Sequence, residues 1–319
     1  MSESVTVSRA LAGGHVAQLD TRRKLQLVLG GSWLLDGILQ CQPFMFSKAF
    51  PRMLAGTAAG NPAAVASPIT WSATFIDHHL VVANALFATI QLALGLGIAW
   101  RPAVKVALAA SVAWALGVWW LGEGLGEILA GPASPVNGAP GAVLLYAVLA
   151  VLLWPADRYP LAPFIAARAV GLRAARSTWL VLWGSLAFFA LVPASRAPQA
   201  ISTMISAMAS GQPAWLAGID AHAASALNHQ GLPASILLAV ALAFVAAGVY
   251  LPARFTRPVI VLALVLATLL WLAEGLGGIF TGSGTDPNSG PLLALLALAF
   301  WPAATSGRRR GGSRSRRQR

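Results

Sequence analysis

Apolar residues in this chain come in long runs, and the polar residues are gathered between the runs rather than alternating with them. Eight runs stand out: 25–46, 80–100, 103–127, 140–155, 178–194, 232–252, 257–279 and 290–303. A helix needs about 20 mostly apolar residues to cross a bilayer. The pattern therefore predicts an all-α integral membrane protein with eight transmembrane helices. The fourth and eighth runs are short, covering only about 20 Å at a rise of about 1.5 Å per residue. Part of the connections before them, "AGPASPVNGAP" and "TGSGTDPNSGP", is thus expected to dip into space lined by protein. In the second of these, Asn288 or Ser289 ahead of Pro291 suits a helix start.

The chain also repeats itself. "WLGEGLGEILAG" at 120–131 returns as "WLAEGLGGIFTG" at 271–282, identical at eight of twelve positions. The same shift of 151 residues sets Met53 on Met204, Gly60 on Gly211, Pro62 on Pro213, His78 on His229 and Glu123 on Glu274. Each half carries four runs, so both enter the membrane in the same orientation, as two parallel four-helix repeats. The organisation is a tail over 1–24, a first membrane repeat over 25–155, a linker over 156–177, a second repeat over 178–304 and an Arg-rich tail over 305–319. That last tail has no apolar residue to bury and is expected to be disordered. In the loops after the first and fifth runs, Ile201, Met204, Ile205 and Met208 fall on one helical face, and Trp215, Ile219 and His222 begin another. Short interfacial helices are expected there, as a lid over a cavity or as a cap on the membrane surface.

Composition supports the bilayer and orients the chain. Apolar residues make up 57% and charged residues only 10%, far below a soluble domain. The net charge of +12 would suggest nucleic acid in a soluble protein, but its distribution argues against that partner. Of the 22 Lys and Arg, nineteen fall in the two tails, the linker and the turns at Arg101/Lys105 and Arg254/Arg257. By the positive-inside rule these segments are cytoplasmic, which places both termini there and makes this a multi-pass plasma (inner) membrane protein. The lipid bilayer is its first partner, and the C-terminal arginines suit anionic lipid head groups. The first 24 residues, with Asp20, are too polar for a cleaved signal peptide. Cys41, the single cysteine, excludes an internal disulfide, a CxxC pair and a thiolate zinc site.

Two sets of polar residues are candidates for chemistry. Asp36 and Gln40 share a face of the first run, and Asn84 and Gln91 share one in the second. Their counterparts one repeat on are Ala187, Leu191, Ser235 and Leu242, so the polar set belongs to the first half alone. A carboxylate within a span is costly and points to function. The alternative is Asp36 bonded to Gln91 or Gln40 as a clamp between helices. The second set, His78, Glu123, His229, Glu274 and Asp77, gathers by sequence at the outer face. It suits a metal or a proton relay, or a structural staple in which Glu123 accepts backbone N–H bonds from the glycine turn or pairs with His78 of its own repeat. No metal is assigned and no cofactor is named by any motif.

"LQLVLGGSWLLDGILQ", at 25–40, resembles the opening helix of DoxX-like membrane proteins, which are four-helix units. Gln40 stands where that family tends to have Lys, and Asp36 precedes Gly37. The resemblance implies a bacterial membrane component associated with quinone or sulfur redox metabolism. The repeated WxxEGxGxI segment is similar to bacterial polytopic membrane proteins without an assigned activity. Three function classes stay open: a DoxX-like redox component with a polar pocket in the first repeat, a transporter of a small molecule or ion, and a non-catalytic scaffold subunit that would need a protein partner.

Overall fold

The computed structural model describes residues 2–302, with side chains described for 21–252 and 255–302. It is all-helical, and no strand occurs among the described residues. The first half holds α1 (Ser2–Leu39), α2 (Ala49–Gly56), α3 (Ala63–His78), α4 (Leu80–Ala99), α5 (Val104–Leu121) and α6 (Ala142–Leu152). After α7 (Ile165–Val170) come α8 (Leu172–Phe189), α9 (Pro193–Arg196), α10 (Ala200–Met208), α11 (Ala214–Ala226), α12 (Gly231–Gly248), α13 (Ala253–Ala273) and α14 (Ser289–Ala299). Among the described residues, four helical segments are long and apolar enough to cross a membrane: Leu80–Ala99, Arg101–Leu121, Gly231–Gly248 and Phe255–Ala273. Their outward faces carry exposed Val82, Val106, Leu237 and Val265, an apolar surface suited to lipid rather than to water.

Several runs read from the sequence end sooner as helices. The first was expected over 25–46, but α1 ends at Leu39, and Pro43–Phe46 forms a separate 3-10 turn. Cys41 therefore lies beyond the helix and is exposed. At its other end α1 begins at Ser2, within the segment expected to be a cytoplasmic tail. The runs 103–127 and 257–279 stop at Leu121 and Ala273. Beyond each stop the backbone turns left-handed, at Gly124, Leu125 and Gly126 and again at Gly275, Leu276 and Gly277, which no α-helix tolerates. Gly60 and Gly211, and Gly131 and Gly282, also match in sign 151 residues apart. The expected disorder of 305–319 lies outside the described residues.

The centre of the protein is built on its two shortest apolar helices. α6 and α14 have eleven residues each, about 16 Å long. Both are largely buried and pack on each other. α5 lies against α6, and α13 against α14. α1 packs on α4 through small residues: a Cβ on Gly95 would stand 2.7 Å from the Gly30 carbonyl oxygen, and one on Gly37 2.7 Å from Leu92. Such close approach is how apolar helices gain contact without a hydrophobic driving force between them. The Gly37–Leu92 contact also sets the last turn of α1 at the middle of α4.

At the end where α1 meets the linker, polar groups tie the segments together. Arg22 pairs with Asp157 at 2.5 Å, and Arg168 stands 3.8 Å from the same carboxylate. Gln26 donates to the Leu153 carbonyl at 2.8 Å, and Arg168 donates to that of Pro160 at 2.9 Å. The linker is thus folded onto α1, with Arg168 buried.

The connections before α6 and α14 cross between the halves. Pro135–Asn137, a 3-10 turn, packs against α8, α10 and α13, with Pro135 and Val136 buried. In the other direction, the Gly284 carbonyl accepts from Gln42 Nε2 at 3.2 Å. Gly141 makes the start of α6 possible. Its φ is 111°, and a Cβ there would lie 2.3 Å from Glu123 Oε2 and 2.8 Å from Trp119. Gly141→Ala is expected to lower stability by about 1–3 kcal/mol, read as a lower unfolding midpoint in detergent. Gly184→Ala, on a helix with open space around the added carbon, should leave the midpoint unchanged.

Candidate functional site

A cavity of about 300 Å³ opens in the first half, between α1, α4 and α5, with α2 and α3 closing one side. Its walls are mainly apolar and aromatic, from Trp33, Phe50, Phe87 and Trp114. Among them stand the polar groups of Asp36, Gln91, Glu123 and Asp286. No Lys, Arg or His lines it.

Asp36 is 2% exposed and lies in the last turn of α1. A carboxylate there faces the negative end of the helix dipole, an unfavourable placement. Its Oδ1 has no hydrogen bond within the protein, and neither has Gln91 Oε1. Packing fixes this end of α1: the Trp33 indole donates to Ser111 Oγ at 2.9 Å, and its ring lies 4.2 Å from that of Tyr146 on α6. α1 is thereby held to α5 and α6 by one side chain.

Gln40 and Asn84, expected with Asp36 and Gln91 as one set, do a different job. Gln40 Nε2 donates to Asn84 Oδ1 at 2.5 Å, and Asn84 Nδ2 donates to the carbonyls of Met45 and Leu80. This chain of bonds fastens the turn after α1 to the start of α4. Gln40 thus fastens Asn84 while lining the cavity with Asp36 and Gln91, and the expected clamp of Asp36 on Gln40 is replaced by Gln40 on Asn84.

The second set also divides. Glu123 Oε1 accepts the backbone N–H of Val143 at 3.1 Å, and Glu274 accepts the Ser289 hydroxyl and lies against the backbone of Ser289 and Gly290. Each glutamate therefore sits at the start of the short helix that follows, where unpaired N–H groups and the positive dipole end favour a carboxylate. His78 and His229 are exposed and join neither glutamate; His78 Nδ1 contacts the Thr74 carbonyl of its own helix at 2.7 Å. Asp77 pairs with Lys48 at 2.8 Å, closing the α2–α3 hairpin. Among the described residues, no three His, Cys, Asp or Glu side chains gather as a metal-binding set.

Asp286 was missed by sequence reasoning. With Glu274 it is one of two acids in the connection between α13 and α14, and nothing in the sequence says that this connection crosses to the first half. The carboxylate accepts the Asn288 N–H at 2.7 Å and the Thr285 hydroxyl at 2.8 Å. Burial pushes the Asp286 carboxyl above the usual carboxylate range, against the opposing pull of those two donors. Comparison of the chain with protein-family models, with curated proteins and with solved structures returns no match.

Two outcomes follow. Gln40→Leu strands the buried Asn84 carbonyl and should cost about 1–3 kcal/mol, measured as a lower unfolding midpoint in detergent. The raised Asp286 value means that the folded chain holds this proton more tightly than the unfolded one. Its contribution to stability is present below the ordinary carboxylate range and is lost as pH rises through the folded value. Asp286→Asn keeps the acceptor without the titration, so its unfolding midpoint should gain on that of the natural protein as pH rises above the ordinary carboxylate range. Parallel pH curves for the two proteins would contradict this.

Proposed function

We propose that this protein is an eight-span membrane protein of two parallel four-helix repeats that binds a small solute in the first-repeat cavity, as a transporter does. The observation that carries the reading is the mostly apolar cavity of about 300 Å³ with unpaired polar atoms facing it. This is at the lower edge of the size of small-ligand sites and has their chemistry. The second half has no such polar set: Ala187, Leu242 and Trp183 belong to the main apolar core. A duplicated scaffold with one apolar half and one polar cavity fits a binding half braced by a structural half.

Support for the eight spans comes from α1, α6, α8 and α14, which pack beside the four long apolar segments. The matched left-handed turns 151 residues apart support the duplication. α1 ending level with the middle of α4 resembles the interrupted helices around which transporters build their sites. On this reading both termini are cytoplasmic, in a plasma membrane, and α2 and α3 cover the cavity from outside. The DoxX-like resemblance of the first helix agrees with four helices per half, and we carry it no further than architecture.

The reading is tested by reconstituting the protein into liposomes and incubating it with the low-molecular-mass extract of its own cells. At least one solute should be retained about fivefold above empty liposomes, a difference of about 1 kcal/mol. Gly117→Phe, which adds a ring at an open position on the cavity wall, should abolish that retention. If the natural protein and Gly117→Phe retain the same compounds, the cavity is not a solute site.

A further inference from the structure

Resting on that cavity being a solute site, we infer that its ligand is a small organic ammonium ion with an apolar body, anchored by Asp36. The ionisable side chains lining the cavity are all acids. Asp36, Glu123 and Asp286 contribute carboxyl groups from α1, from the end of α5 and from the crossing connection of the second half, with no basic side chain among them. Of the basic residues near Asp36 in sequence, Lys48 pairs with Asp77 and Arg22 with Asp157, and Arg52, beside the wall residue Met53, lines the separate groove between α2 and α3.

The unpaired atoms point to a ligand that donates. Asp36 Oδ1, Gln91 Oε1 and Glu123 Oε2 are buried acceptors without a hydrogen bond within the protein. Against these three acceptors stand two unpaired donors, the Trp114 indole nitrogen on the wall and the Tyr146 hydroxyl beside Asp36. An ammonium group carries up to three N–H donors and no acceptor, and so matches this imbalance where an alcohol or a carboxylate does not. Placement in the last turn of α1 adds the negative dipole end to the charge of Asp36. Glu123, by contrast, already has the start of α6 as partner for one oxygen. Asp36 is therefore the anchor.

The rest of the wall selects an organic cation over an inorganic one. Bare metal cations need a cage of six or more oxygens, and the carboxylates here do not converge on one point as a metal set. Instead the cavity offers aromatic faces from Trp33, Phe50, Phe87 and Trp114, which attract an ammonium group electrostatically and pack against an alkyl or aryl body.

The test uses the full-length protein in detergent and three probes of one shape: phenethylammonium, phenethyl alcohol and 3-phenylpropanoate, each titrated by calorimetry. Phenethylammonium should bind at least about tenfold more tightly than either of the others, about 1.4 kcal/mol. Asp36→Asn should reduce it to the level of the alcohol, and Asp36→Glu should restore part of the preference. Equal binding of ammonium and alcohol, or a preference for the carboxylate, overturns the inference while leaving the cavity a solute site. Binding of none of the three overturns it as well, and taken with unchanged retention by Gly117→Phe it removes the cavity reading too.

Discussion

A helix that starts inside a protein must find acceptors for its first N–H groups. α6 and α14 begin among other helices, with Ala142, Val143, Ser289 and Gly290 buried away from water. Glu123 takes the Val143 N–H, and before α14 Asn288 Oδ1 takes the Ser289 N–H while Glu274 holds the Ser289 hydroxyl and lies against the backbone of Ser289 and Gly290. Much else is set by that one requirement. Each carboxylate reaches the next helix only if the chain reverses immediately after it, which the left-handed turns at 124–126 and 275–277 accomplish. It also needs a residue without a side chain to approach. Gly141 is that residue in the first half, and at Gly277 a Cβ would strike the Pro287 backbone. The repeated glutamate with its glycines is thus a helix-capping device, needed once for each short helix.

Capping from within the protein leaves the connections free to travel. Each connection, relieved of closing its own half, reaches across to the other. The first brings Pro135 and Val136, which are buried among apolar helices. The second brings Thr285 and Asp286 to the wall of a cavity. A Cβ on Gly138 would lie 2.5 Å from Asn288 Oδ1, so the two connections meet at the middle of the protein. The exchange couples the halves: the polar cavity of one is completed by the loop of the other.

Asymmetry between the halves carries the functional argument. A site held in common would have counterparts for Asp36 and Gln91, yet the chain has Ala187 and Leu242 there. An acid in the last turn of a buried helix, a crossing acid and two acceptors without partners are each unfavourable alone. Their concentration around one cavity lined by aromatic rings makes sense as chemistry reserved for a ligand, which gains from the same groups that cost the empty fold.

The sequence by itself determined the helical class, the apolar character of the spans, the 151-residue correspondence and the restriction of Asp36, Gln40, Asn84 and Gln91 to one half. These are properties of composition and spacing, which survive without knowledge of contacts. It also led to the right glutamates with the wrong neighbours. Glu123 and His78 are close to matching loop ends in sequence, but the turn at 124–126 sends the carboxylate to α6 while His78 stays exposed on α3. Only the tertiary structure decided that Gln40 bonds Asn84, that α1 stops at Leu39 and that Asp286 reaches the first half. Each of these depends on which helices approach closely enough to touch. That approach is set by glycines whose meaning appears only when the opposing atom is in place: the Gly30 carbonyl against Gly95, Leu92 against Gly37, and the Glu123 carboxylate against Gly141.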